Sequence, residues 1–149
     1  MKPIIKWVGG KTQILDKVLE SFPREIENYH ELFVGGGSVL FGILESRNIT
    51  VKGKVYAYDK NQKLINMYRQ IQENPRDVHD HLLELFTTYD TRTGTDINRK
   101  PETEEDGLTS KESYYYWIRK KYNELIPTTS THAATLIFLN KTCFRGVYR

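Results

Sequence analysis

Two glycine-rich segments and one acidic residue carry the chemistry legible in this 149-residue chain. Phe33-Val34-Gly35-Gly36-Gly37-Ser38-Val39-Leu40 has the outline of a dinucleotide-binding fingerprint, but Leu40 stands where the third glycine belongs. The shared physics survives that difference. Glycines let the backbone approach a ligand closely, and a helix starting at Ser38 offers free N–H groups and a positive dipole end to a carboxylate or phosphate. Asp59 follows Gly37 by about 20 residues, the spacing at which an acid can accept hydrogen bonds from ribose hydroxyls. A nucleoside ligand with no required pyrophosphate fits this pattern, and S-adenosylmethionine, with its adenosine and zwitterionic methionine end, is one such ligand. The alternative for the glycine run alone is a tight structural connection. Nearer the N-terminus, Lys6-Trp7-Val8-Gly9-Gly10-Lys11-Thr12 ends like a phosphate-binding loop. Ile5 occupies the position where that loop needs its first glycine, and no buried strand precedes it, so a nucleoside triphosphatase is disfavoured.

The elements that must hold these residues follow from periodicity. Ile4 to Trp7 reads as a short strand or an extended lead-in. Ile14, Leu15, Val18, Leu19 and Phe22 fall on one helical face that Pro23 closes. A strand over residues 29–34 enters the glycine turn, Ser38 is placed to cap a helix carrying Val39, Leu40, Ile43 and Leu44, and a strand over 54–58 ends at Asp59. This is the opening of an α/β sheet. Past Asp59 the pattern turns helical. Leu64, Ile65, Tyr68 and Ile71 form one stripe, and Val78, Leu82, Leu85, Phe86 and Tyr89 form a second with Pro75 in its first turn. Residues 90–109 read as a mobile polar loop. Thr109 and Glu112 stand in capping-box spacing before Tyr114-Tyr115-Tyr116-Trp117-Ile118, and a last apolar stretch over 133–139 runs into Asn140.

With 38% hydrophobic and 28% charged residues, the composition is that of a globular protein rather than a disordered tail. No apolar run approaches the roughly 20 residues of a membrane span, and no signal peptide is expected. The single cysteine, Cys143, excludes an internal disulfide and clustered-thiolate metal sites, so no metal is assigned and a reducing compartment is expected. The net charge of +3 (22 basic against 19 acidic residues) is too small to prove a nucleic-acid partner. Its distribution says more: Lys2, Lys6 and Lys11 at one end and Lys141, Arg145 and Arg149 at the other flank an acidic middle at Glu102-Thr103-Glu104-Glu105-Asp106. Phosphates can meet such basic ends, although solvated surface charge is the plain alternative. The same choice attends Arg119-Lys120-Lys121 beside the aromatic run.

Three blocks, in this order and spacing, resemble the Dam-like (D12 class) DNA adenine-N6 methyltransferases. They are Lys6-Trp7-Val8-Gly9-Gly10-Lys11; Phe33-Val34-Gly35-Gly36-Gly37-Ser38 followed by Ala57-Tyr58-Asp59-Lys60-Asn61; and Phe138-Leu139-Asn140-Lys141-Thr142-Cys143-Phe144-Arg145-Gly146-Val147-Tyr148-Arg149. The resemblance implies S-adenosylmethionine as cofactor and double-stranded DNA as partner. Trp7, Lys11 and Phe33 would line the cofactor pocket, Gly35 and Gly37 would form its turn, and Asp59 would hold the ribose hydroxyls. In the third block Phe144 matches an aromatic that wedges between bases when adenine is flipped out. Arg149 matches an arginine that reads a guanine edge through O6 and N7, and Arg145 falls where some relatives carry a small polar residue. The implied architecture is the start of a Rossmann-like methyltransferase sheet over residues 1–59, with a helical DNA-recognition insertion over 60–149. Restriction-modification, viral and housekeeping roles are all open, and the implied location is the cytoplasm, nucleoid or a viral replication site.

The family holds its target amine with an Asp-Pro-Pro-Tyr motif, whose Asp carboxylate and Pro carbonyl accept the N6 hydrogens. No Pro-Pro pair occurs among Pro3, Pro23, Pro75, Pro101 and Pro127, so no catalytic residue is assigned. Two expected strands also cannot form a stable sheet covered on both faces. Three readings follow: the N-terminal part of a methyltransferase, one subunit of a split enzyme whose second chain brings the catalytic motif, or a DNA-binding module without methyl transfer.

Overall fold

A computed structural model describes residues 2–143, and the chain divides into two compact units, residues 1–64 and 65–149. The architecture is mixed α/β, with small parallel sheets and helices. Phe144, Arg145 and Arg149 lie outside the described residues.

In the first unit, residues 2–10 run in through bends and a turn, the lead-in rather than the strand. The helical face expected from Ile14 to Phe22 is realised over a shorter span: a 3-10 turn (Thr12–Ile14) leads into α1 (Leu15–Glu20). Leu15 and Leu19 of α1 pack against α2 (Ser38–Glu45) at Gly42. Four short strands form two parallel pairs. β1 (Glu25–Ile26) pairs with β3 (Thr50–Val51), and β2 (Tyr29–Glu31) pairs with β4 (Val55–Ala57) in the register His30 opposite Tyr56. β1 and β3 have no counterpart in the sequence reading, because two residues show no periodicity. Parallel pairing needs a crossover, and α2 lies in the connection between β2 and β4. Beyond Glu31 the ladder continues as single bonds, Tyr58 N–H to Glu31 C=O at 2.8 Å and Val34 N–H to Tyr58 C=O at 2.9 Å. Both strands of this pair therefore deliver their carboxyl ends, and the segments carrying Gly35 and Asp59, to the same place.

The boundary between units falls within α3 (Gln62–Glu73). The second unit continues with α4 (Pro75–Asp90), α5 (Glu104–Gly107), α6 (Lys111–Tyr122) and α7 (Ser130–Thr142). Its core is α7, where every residue from 132 to 140 is buried; a helix apolar around most of its girth has to be enclosed. Phe138 meets Phe86, Tyr89 and Tyr114 edge-to-face at centroid distances of 5.2, 5.6 and 5.9 Å.

The segment over 90–109, expected as a mobile loop, is instead built onto α6. Thr95 bridges Ser110, Asn98 N–H donates to Ser113 Oγ at 2.8 Å, and Thr109 Oγ1–H donates to the Asp96 carbonyl at 2.9 Å. Arg99 pairs with Glu112 at 2.8 Å, and Trp117 packs directly under Gly107. Within the segment, Thr103 and Asp106 close a capping box on α5. The cap of α6 also lies one residue later than its spacing suggested. Ser110 accepts from Ser113 N–H, while Glu112 is committed to Arg99 and Thr109 to the loop.

Candidate functional site

The glycine turn after β2 needs its residue types for two separate reasons. Gly35 and Gly37 have φ of +49° and +78°, the left-handed region that side chains disfavour. Gly35 also lies against the Trp7 ring: a Cβ there would stand 3.1 Å from Trp7 Cδ1. The first two sequence blocks are thus packed on one another. A backbone bond joins them as well, since Lys11 N–H donates to Ser38 Oγ at 3.1 Å. Ser38 therefore does not cap α2, as its type suggested; Gly37 occupies the cap position without a side-chain bond.

Asp59 closes the arrangement. Its Oδ2 accepts from Gly35 N–H at 3.0 Å and its Oδ1 from Asn61 N–H at 2.9 Å. A carboxylate has about four lone-pair sites, so both oxygens retain capacity for a ligand's hydroxyls. Together these residues wall a cleft of about 630 Å3 at the carboxyl ends of β2 and β4. Trp7, Lys11, Phe33, Gly35 and Asp59 line it, so five of the six residues expected to hold a cofactor come together. The sixth, Gly37, supplies the turn one residue before Ser38, which also lines the cleft. Phe33 is 83% exposed, leaving its ring face open. The Lys11 ammonium folds back onto the Gly9 carbonyl at 2.7 Å.

The sequence reading missed Glu31. Its carboxylate lines the cleft, accepts a hydrogen bond from Tyr29 Oη at 3.0 Å and another from the Leu40 backbone N–H in the first turn of α2. An anion there is stabilised by the helix dipole. Burial nonetheless pushes its pKa up, outweighing those two donors, and no described cation pairs with it. Tyr29 is driven above the usual phenol range, first by burial and then by the neighbouring Glu31 charge. A half-buried carboxylate without a counter-ion is suited to receiving a ligand's cation. The one available signal was its position four residues before Gly35, inside a run that reads as simply apolar.

In the second unit, the basic run on α6 is already engaged by neighbours. Arg119 lies over Tyr116 at 5.0 Å and Lys121 over Trp117 at 4.8 Å, while Lys120 Nζ donates to the Pro101 carbonyl at 3.2 Å. Among the described residues no group of three or more His, Cys, Asp or Glu side chains could hold a metal ion. No described helix is long and apolar enough to cross a membrane.

Residues 7–149 match the family model described as D12 class N6 adenine-specific DNA methyltransferase. The chain is 35% identical over 156 residues to the Type II methyltransferase M.MjaIII of Methanocaldococcus jannaschii, covering 100% of this chain and 48% of that relative. It is 28% identical over 149 residues to the Type II methyltransferase M1.LlaDCHI of Lactococcus lactis subsp. cremoris, covering 100% and 44%. A DNA adenine methylase of Haemophilus influenzae is 27% identical over 150 residues, covering 99% and 43%. The chain spans about half the length of these curated relatives. With a match over nearly its whole length, the chain belongs to the D12 class of N6 adenine-specific DNA methyltransferases.

Proposed function

We propose that this chain is the N-terminal, cofactor-binding and DNA-reading part of an enzyme that methylates adenine N6 in double-stranded DNA, with S-adenosylmethionine as cofactor. The observation that carries the reading is the Asp59 carboxylate, fixed by the Gly35 and Asn61 amides on the wall of the cleft with its remaining lone pairs available. Asp59 accepts the ribose hydroxyls, and the Trp7 and Phe33 rings pack against the nucleoside. Glu31 receives the ammonium of the methionine end, and Lys11, which lines the same cleft, supplies positive charge to its carboxylate. Gly35 and Gly37 let the backbone come close. The cofactor supplies an electrophilic methyl group. What this chain's residues do is bind and orient, which is a large part of the rate in such transfers.

The second unit, ending in Phe144, Arg145 and Arg149, reads the DNA. Phe144 wedges between bases when the adenine is flipped out, Arg149 reads a guanine edge, and Arg145 contacts the partner base that the adenine vacates. The family's Asp-Pro-Pro-Tyr motif is not among these 149 residues, so the groups that hold the N6 amine come from further polypeptide, in the same chain or in a second one. The enzyme works wherever its DNA is, in the cytoplasm, on a nucleoid or at a viral replication site.

Calorimetric titration of the intact protein with S-adenosylmethionine tests the cofactor assignment, with Asp59→Ala alongside. Saturable binding that Asp59→Ala weakens at least tenfold is expected. Equal affinity of both proteins would end the assignment.

A further inference from the structure

Glu31 sits in a setting that accommodates a carboxylate with or without its proton. Side chains alternate along a strand, so Tyr29 and Glu31 of β2 share the face that meets α2. Tyr29 is buried, its ring edge-on to Phe22 at 5.9 Å, which fixes its hydroxyl 3.0 Å from Glu31 Oε2. A phenol hydroxyl both donates and accepts. It donates to the carboxylate, and after a turn about its C–O bond it accepts from the protonated acid. The Leu40 N–H requires only a lone pair, which either form keeps. Neither contact is lost when Glu31 gains or loses a proton.

What the carboxylate lacks is a counter-charge. The other titratable groups lining the cleft are Lys11, Tyr29, His30 and Asp59. Lys11 Nζ donates to the Gly9 carbonyl, and Asp59 accepts from the Gly35 and Asn61 amides. His30 stacks on Tyr56, the titratable residue of β4, on the opposite side of the strand pair. The first turn of α2 carries no charged side chain and offers only its amide and its dipole. Burial therefore opposes the anion with no charged side chain to offset it, and raises the Glu31 pKa. A cation docked in the cleft reverses that balance, because an opposite charge favours the ionised form.

We propose that the cleft exchanges a proton on Glu31 for the ammonium of its ligand, so that in the acidic range cofactor binding is coupled to proton release. The inference rests on the cofactor reading above and deepens it. The balance is simple: the Glu31 carboxylic acid gives its O–H proton to the buffer, no other covalent bond changes, and the anion is left facing the ligand's ammonium. A nucleoside without an ammonium gives Glu31 no reason to ionise, so the same exchange separates the two classes of ligand.

Calorimetric titration of the intact protein with S-adenosylmethionine, in pairs of buffers of different ionisation enthalpy, counts the protons exchanged. The series runs from about pH 5 to about pH 8, between the ordinary carboxylate and α-amino ranges. Release of up to about one proton is expected at the acidic end, with affinity rising there by up to about tenfold per pH unit. Towards pH 8 the sign should turn to uptake, because a ligand amine that has lost its proton must regain it to bind. S-adenosylhomocysteine, which keeps the ammonium without the sulfonium, should release as many protons. 5′-Methylthioadenosine, which lacks the ammonium, should release none. Glu31→Gln should bind S-adenosylmethionine without release and with an affinity that is flat across the acidic half of the series. Binding of S-adenosylmethionine without proton release would overturn the inference and leave the cofactor reading standing. Release that persists in Glu31→Gln, or that is equal with 5′-methylthioadenosine, would overturn it by assigning the proton to another group. Binding of none of the three ligands would remove the cofactor reading and the inference with it.

Discussion

Asp59→Asn separates a structural clip from a ligand contact. The native carboxylate accepts two backbone N–H groups, Gly35 at 3.0 Å and Asn61 at 2.9 Å, one on each oxygen. A carboxamide has one acceptor oxygen and one NH2, so either orientation of the substituted side chain leaves one of those N–H groups facing a donor. Stranding a buried donor costs about 1–3 kcal/mol. Asp59 is only half-buried and water can take over part of the bond, so the lower end, about 1 kcal/mol, is expected. For a unit the size of residues 1–64, that lowers Tm by roughly 4–8 °C. On the proposed reading, losing the charge also weakens the hydrogen bonds that Asp59 accepts from a bound cofactor's ribose hydroxyls. At about 1.5–3 kcal/mol for bonds to a charged group, cofactor Kd should rise roughly 10- to 150-fold. Thermal melts followed by circular dichroism and calorimetric titration with S-adenosylmethionine, both on the intact protein, read the two effects independently. A lowered Tm with unchanged Kd would refute the ligand role and leave Asp59 as a clip for the glycine turn. An unchanged Tm with unchanged Kd would refute the geometric reasoning itself.

Four further outcomes are expected. Gly35→Ala places a Cβ in the left-handed region and 3.1 Å from the Trp7 ring, so it should destabilise the first unit by about 1–2 kcal/mol and shift Trp7 fluorescence; an unchanged melt and emission would show that the turn relaxes freely. Burial raises the Glu31 pKa, so its contribution to stability is fully present below the ordinary carboxylate range and is lost as pH rises through the elevated value. Without ligand, Glu31→Gln should accordingly raise Tm near neutral pH and flatten the Tm–pH profile, and parallel profiles for variant and wild type would contradict this. In the complete enzyme, Arg149→Ala should cost about 1–3 kcal/mol of discrimination at one base pair, measured as binding to cognate against scrambled duplex; equal losses on both would assign Arg149 to the backbone. Phe144→Ala should slow methylation of a paired adenine more than of a mismatched one, because a mismatch is cheaper to flip, and equal slowing would remove the wedge role.

The glycine–aspartate constellation was legible in the sequence because its constraints are local. Positive φ at Gly35 and Gly37 favours glycine, and Asp59 stands about 20 residues on, where its carboxylate returns to accept from Gly35 N–H. The burial of α7 was legible for the same kind of reason, since the apolar stretch over 133–139 has no polar face to offer water. Other features depended on partners distant in the chain. The polar composition of residues 90–109 reads as a loop, and only the α6 side chains Glu112, Ser113 and Trp117 supply the bonds and the surface that order it. The same contacts move the α6 cap from Thr109 to Ser110. Glu31 sits in an apolar run, and its setting appears only when α2 brings its first turn to that carboxylate and burial strips away its water. Sequence thus determined which backbone conformations and which faces were possible. Tertiary structure decided which polar groups were taken out of water together, as it did for the Glu31 carboxylate beside the first turn of α2.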